Sequence, residues 1–126
     1  MYLLDTCAFL YYLDGNQQLS ESAKKIIDSD DNVFLSQVSL WEIAVKKTIK
    51  KLVINESISD LERICYKGGI EIIPIKNKYF DTIQILPYIH GDPFDRLILA
   101  TAIDENLSLI TDDGKMILYP DVQVIW

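Results

Sequence analysis

The stretch YLLDTCAFLYYL, residues 2–13, decides how the rest of the chain is read. Tyr2, Leu3 and Leu4 look like the start of a buried strand, and CAFLYYL continues as a helix, so a strand feeds directly into a helix. That is how a βαβ unit begins. Between the two stands Asp5, where a core strand would carry another Val or Ile. In open α/β sheets, ligands bind in the crevice beyond the carboxyl ends of the strands, so an acid at that point has a functional meaning. It also has a local one, because Asp5 or Thr6 can cap the helix that follows.

Working outward, strand-like runs recur at residues 2–5, 32–36, 70–75, 107–111 and 122–126. Several are continuously apolar instead of alternating, as strands covered on both faces of a parallel sheet are. Helical segments lie between them. Ser20 precedes ESAKKIID with Glu21 in the first turn, and QVSLWEIAVKKTIKKL sets Val38, Trp41, Val45, Thr48 and Leu52 on one stripe. NESISDLERICYKGG runs from an Asn55 cap to Gly68 and Gly69, and GDPFDRLILATAIDEN has Asp92 at its cap and Pro93 at the first helical position. The pattern predicts an α/β/α sandwich around a central, mostly parallel five-stranded sheet. At 126 residues, it is expected to form a single domain over residues 1–126.

Composition narrows the function. Hydrophobic residues make up 49% and charged residues 25%, with five Gly and four Pro, which is ordinary for a folded chain. Cys7 and Cys65 are far apart and lack the spacing of a zinc site or a disulfide framework, so a reducing, cytoplasmic setting is expected. No uncharged apolar run approaches the ~20 residues needed to span a bilayer, so no membrane role is expected. The net charge of −7 argues against binding nucleic acid through a broad basic surface, which requires many Lys and Arg contacts to phosphate. A nucleic-acid substrate would have to be held locally or with the help of a metal.

The acids repeat the oddity of Asp5. Glu42 shares a helix face with Ser39 and Lys46, at i, i+3 and i+7; the plain alternative is an exposed Glu–Lys pair. Asp95 is the third residue of a helix capped by Asp92, where a carboxylate also favours the positive end of the dipole, and the adjacent Arg96 is placed to pair with either acid. Asp112 and Asp113 follow a strand in TDDGK, which is good turn chemistry and also a strand end. Carboxylates brought together by such a fold persist only if protons or a divalent cation neutralise them. Oxygen ligands without a Cys or His cluster favour Mg²⁺ or Mn²⁺ over zinc. His90, the one histidine, and the aromatic stretch Phe9, Tyr11 and Tyr12 read as structural first, with a substrate contact as the lesser alternative.

At this point the chain resembles the PIN-domain ribonucleases, and within them the VapC-like toxins of bacterial toxin–antitoxin pairs. Four stretches carry the resemblance in the family's order: LLDT at 3–6, SLWEIAVKK at 39–47, HGDPFDRLILATA at 90–102, and LITDDGKMILYP with VQVIW to the end. The resemblance implies that Asp5, Glu42, Asp95 and Asp113 bind metal and carry catalysis, with Thr6 and Ser39 orienting carboxylates or water. Asp112 falls at a variable position and Lys46 matches a frequent lysine whose role stays open. It further implies a Mg²⁺-dependent endoribonuclease, with Mn²⁺ a plausible substitute, that acts on RNA, dimerises and is restrained by a cognate antitoxin protein. A catalytically inactive RNA- or protein-binding module with the same fold is the alternative. An Asp-nucleophile phosphatase or receiver-like domain would need a second acid near the first strand, and LLDTCAF has one. One departure is KKTIKKL, where related sequences often carry a Gly before the Lys-Leu, a difference that concerns helix termination.

Overall fold

The computed structural model describes residues 1–29 and 32–126. Its elements follow the chain as β1 (Tyr2–Leu4), α1 (Thr6–Asp14), α2 (Glu21–Ser29), β2 (Val33–Ser36), α3 (Gln37–Thr48), α4 (Ile58–Lys67), β3 (Ile70–Ile73), α5 (Asn77–Ile85), α6 (Pro93–Asp104), β4 (Ser108–Ile110) and β5 (Val124–Ile125), with a short 3₁₀ turn at Met116–Leu118. The five strands form one sheet in the order β3-β2-β1-β4-β5, every pair parallel. All five expected strands are present, each trimmed by one to three residues.

Alternation along the central strands divides the core in two. Leu3 and Leu109 point to one face, where they pack with Tyr79, Ile98, Leu99, Met116 and Tyr119. Leu4 and Ile110 point to the other, with Phe9, Leu35, Ile43, Leu61 and Cys65. Both faces are therefore covered, which is why these strands carry apolar residues at successive positions.

Local chemistry sets the helix ends. Ala23 N donates to Ser20 Oγ at 3.0 Å, as read from the sequence. α4 starts later than expected: its cap is Ser57 and not Asn55, because Ser57 and Asp60 form a reciprocal capping box, each side chain accepting the other's backbone N–H. α3 ends at Thr48, short of Leu52, where Lys50 takes a left-handed conformation at φ 59°. The stripe expected on α3 is also corrected. Val38 is buried, but Trp41 is 54% exposed and meets Phe94 edge-on with ring centroids 4.8 Å apart, while the buried face is Val38, Ser39, Leu40, Glu42 and Ile43. α5 has no counterpart in the sequence reading. Its first residue follows Lys76, which makes no side-chain cap, and it is held by Tyr79 donating to Glu105 and Thr82 to Asp104. The aromatic stretch packs as expected: Phe9 is fully buried and Tyr11 lies edge-on to Trp126.

In this strand order the chain moves from β1 outward through β2 to β3, then returns to the opposite side of β1 with β4. The gap between the carboxyl ends of β1 and β4 is thus the topological switch point of the sheet, the usual place for a ligand crevice.

Candidate active site

Asp5 ends β1 at this switch point and is 4% exposed. It is the N-cap of α1, with Oδ1 accepting from Ala8 N at 2.7 Å. The parallel register pairs Leu4 with Ile110, which sets Asp5 beside Thr111 of the next strand. The Thr111 hydroxyl donates to Asp5 Oδ2 and accepts from Asp113 N at 3.0 Å, so a single side chain ties the two strand-end acids together. Capping and convergence therefore coexist at Asp5. Burial pushes its carboxyl up to about 6 against the lowering effect of these hydrogen bonds, and Asp112 and Asp113 raise it further.

Thr6, the next residue, reaches α3. Its Oγ1 lies 2.6 Å from Glu42 Oε1 and 2.9 Å from Ser39 Oγ. A hydroxyl has one proton, so Thr6 donates to the carboxylate and accepts from Ser39. Glu42 is 4% exposed and not the surface residue of the plain alternative, although its Lys46 partner is present, with Nζ 2.5 Å from Oε2. Burial works against the charge on Lys46, but the hydrogen bond and charge of Glu42 outweigh it and leave the ammonium group raised above its usual range.

Asp95 stands in the first turn of α6, its backbone N–H donating to the Asp92 cap at 3.0 Å. Burial, then the charges of Asp92 and Glu42, push its carboxyl up to about 7, with Asp5 adding to them. The charges of Glu42 and Asp5 thus both reach the Asp95 carboxyl. Asp113 joins from the loop after β4, with Oδ1 accepting from Lys115 N at 2.8 Å. Burial would raise it, but the His90 contact and the Lys115 and Met116 amides hold it below the usual carboxylate range. Asp112 is exposed at the rim.

Two expectations change. Arg96 pairs with neither acid: it is buried and turned away, its guanidinium donating to the carbonyls of Ile83, Leu86, Pro87 and His90. One step along a helix turns a side chain by about 100°, so adjacency to Asp95 on α6 carried no information about direction. His90 is 8% exposed, as a structural histidine would be, yet its Nε2 lies 2.9 Å from Asp113 Oδ2 and 3.0 Å from Asp95 Oδ2. Its ring, Asp95 and Asp113 each offer an atom within 4.8 Å of the other two. The sequence reading missed Thr111, and it took Cys7 only as evidence against a zinc site or disulfide, not as a neighbour of the acids. The first is marked by the register, since a residue one past the β4 pairing must face Asp5; the second is one residue from Thr6 in the first turn of α1. Desolvation, then the charges of Asp5 and Glu42, push the Cys7 thiol up to about 11, so the group bordering the acids is a thiol and not a thiolate.

The donor set suits a hard divalent cation: carboxylate oxygens of Asp5 and Asp113 from the sheet edge, Glu42 from α3 and Asp95 from the first turn of α6, with the Asp5 and Asp95 carboxyls raised by burial and crowding.

A parallel α/β sheet with carboxylates gathered at the β1–β4 switch point is the arrangement of the PIN domain, and the family model of that description matches residues 2–121. The chain belongs to the PIN-domain family. Among characterised relatives it is similar to ribonuclease VapC22 of Mycobacterium tuberculosis, 28% identical over 116 residues that cover 90% of this chain and 88% of that one. Among solved structures its fold is similar to VapBC2 of Rickettsia felis bound to a promoter DNA fragment, with a TM-score of 0.72, 20% identity and coverage of 98% and 96% of the two chains. A toxin–antitoxin complex of Klebsiella pneumoniae gives a TM-score of 0.67 at 20% identity, covering 100% of this chain and 97% of that one. No helix among the described residues is long and apolar enough to cross a membrane.

Proposed function

We propose that this chain is a metal-dependent endoribonuclease, the toxin of a toxin–antitoxin pair, acting as one domain in the cytoplasm and cutting RNA with Mg²⁺, or Mn²⁺ in its place. The observation that carries the reading is the convergence of Asp5, Glu42 and Asp95 with Asp113 at one sheet edge, with Asp5, Glu42 and Asp113 held by hydrogen bonds to their carboxylates and Asp95 in contact with His90. The likeness to a ribonuclease of the VapC group supports the substrate class, and the solved toxin–antitoxin complexes support a protein inhibitor as partner. Self-association into a dimer belongs to the same reading.

Asp5, Glu42, Asp95 and Asp113 would hold the cation. When bound, Mg²⁺ supplies charge neutralisation at the phosphate and lowers the pKa of water. The protein's part is positional. Asp5 is fixed by Ala8 N and Thr111, and Glu42 by Thr6 and Lys46, so neither carboxylate must reorganise when the substrate arrives. Hydrolysis then forms one bond from water oxygen to phosphorus, breaks one P–O ester bond and leaves a proton on the departing oxygen. With a net charge of −7, the chain holds RNA by this local site and not by a basic surface.

The test is calorimetric titration of Mg²⁺ into the wild type and Asp5→Asn, with both then incubated with total RNA. Loss of metal binding and of discrete cleavage together in a variant that keeps its far-UV spectrum is the expected result. Full cleavage by Asp5→Asn, or a wild type that neither binds metal nor cuts RNA, would overturn the assignment.

A further inference from the structure

His90 is the one histidine of the chain, and its ring is engaged on both nitrogens. Nε2 lies 2.9 Å from Asp113 Oδ2 and 3.0 Å from Asp95 Oδ2. On the other side, Asp92 N donates to Nδ1 at 3.1 Å. A backbone N–H has no alternative role, so Nδ1 must present a lone pair, and the ring proton of this arrangement is on Nε2. The backbone around it is equally fixed: His90 N donates to the Tyr119 hydroxyl at 2.9 Å, and Arg96 donates to His90 O at 3.2 Å.

We propose that His90 is a positioning residue that brings Asp95 and Asp113 into one site, donating its Nε2–H to Asp113 while standing against Asp95, and that it is not itself a metal ligand. Asp95 rides on α6 and Asp113 on the loop after β4, and the contact through His90 joins the two. A ligating imidazole needs a free lone pair on Nε2, which would move the proton to Nδ1 and set it against the Asp92 N–H. The ligand set therefore stays oxygen-only and selects hard cations, although a histidine is within reach.

The metal consequence rests on the nuclease reading; the proton's position does not. Because the chain has one histidine, ¹⁵N ring spectra of the metal-free protein at neutral pH give a single unambiguous spin system. Expected is a protonated Nε2 and an unprotonated Nδ1, unchanged on adding Mg²⁺; a proton on Nδ1, or loss of the Nε2 proton on adding metal, would overturn the proposal. Two variants separate the ring's halves. Glutamine places an amide N–H₂ where Nε2 stands, and asparagine places a carbonyl where Nδ1 accepts from Asp92. Mg²⁺ titration should find His90→Gln within about threefold of wild type and His90→Asn weakened by roughly 10- to 100-fold, the usual effect of losing a partner that orients a ligand. Equal weakening in both, or none in His90→Asn, would sink the clamp. A wild type with the expected ring signature that takes up no metal would support the clamp and remove the nuclease reading.

Discussion

The Thr6 hydroxyl lies 2.6 Å from Glu42 Oε1, joining the first residue of α1 to the middle of α3 inside the protein. Both residues are less than 5% exposed, so this bond replaces water that the Glu42 carboxylate can no longer reach. Thr6→Val keeps the shape and removes the donor; the expected cost is about 1.5–3 kcal/mol, the range for a hydrogen bond to a charged group. Thr6→Ser, which keeps the hydroxyl, should stay close to wild type. Urea unfolding of the two variants checks this, and equal stability of Thr6→Val and Thr6→Ser would refute it.

Asp5 and Asp95, raised to about 6 and 7, make the metal-free protein sensitive to pH in a defined direction. Their folded values exceed the unfolded ones, so the contribution from their protonated forms is complete below pH ~3.8 and is lost as pH rises through 6 and 7. Bound Mg²⁺ acts on the ionised forms, so its stabilisation should grow over the same window. Melting curves from pH 5 to 8, with chelator and with Mg²⁺, should diverge toward high pH. Parallel curves would show that the two acids do not respond to the cation.

The strands were legible because burial on both faces writes itself as unbroken apolar runs; Asp5, Asp95 and Asp113 were legible because each stands at a strand end or a helix start, and mid-helix Glu42 through the face it shares with Ser39 and Lys46. What the sequence hides is direction and register. Thr111 meets Asp5 because β4 lies beside β1 in a parallel register, a fact of the sheet that no local pattern encodes. Trp41 looked like core because it keeps helical spacing with Val38 and Val45, but the interior turn of α3 is polar where Ser39 and Glu42 meet Thr6. α5 stayed unseen because its stability is tertiary: it lacks a cap, and Glu105 and Asp104 of the next helical region hold it.

Tyr119 organises the loop that carries His90. Its hydroxyl donates to Pro87 O at 2.8 Å and accepts from Ile89 N at 3.2 Å and His90 N at 2.9 Å. Tyr119→Phe removes one oxygen and leaves the buried His90 N–H without its partner, for an expected loss of about 1–3 kcal/mol. Metal affinity should fall with it, since His90 reaches Asp95 and Asp113 from this loop. Unfolding and Mg²⁺ titration of the variant provide the check. A stability loss with unchanged affinity would confine Tyr119 to the scaffold.

Lys50 resolves the departure noted in KKTIKKL. It follows the Ile49 C-cap of α3 at φ 59°, Lys50 N donates to Lys47 O at 3.2 Å, and Lys51 N donates to Lys46 O at 2.9 Å. These are the two bonds of a Schellman ending, whose left-handed residue is most often glycine because a side chain there crowds the following carbonyl. Glycine at this point would keep the turn without the crowding. Lys50→Gly should therefore stabilise the fold by up to about 1 kcal/mol, the usual penalty for a left-handed residue that carries a Cβ, which corresponds to a rise of roughly 4 °C in Tm. Lys50→Val, β-branched and less tolerant of positive φ, should lower it. Melting curves of the two variants measure the difference, and a Lys50→Gly variant less stable than wild type would mean that the lysine side chain contributes more than its backbone strain costs.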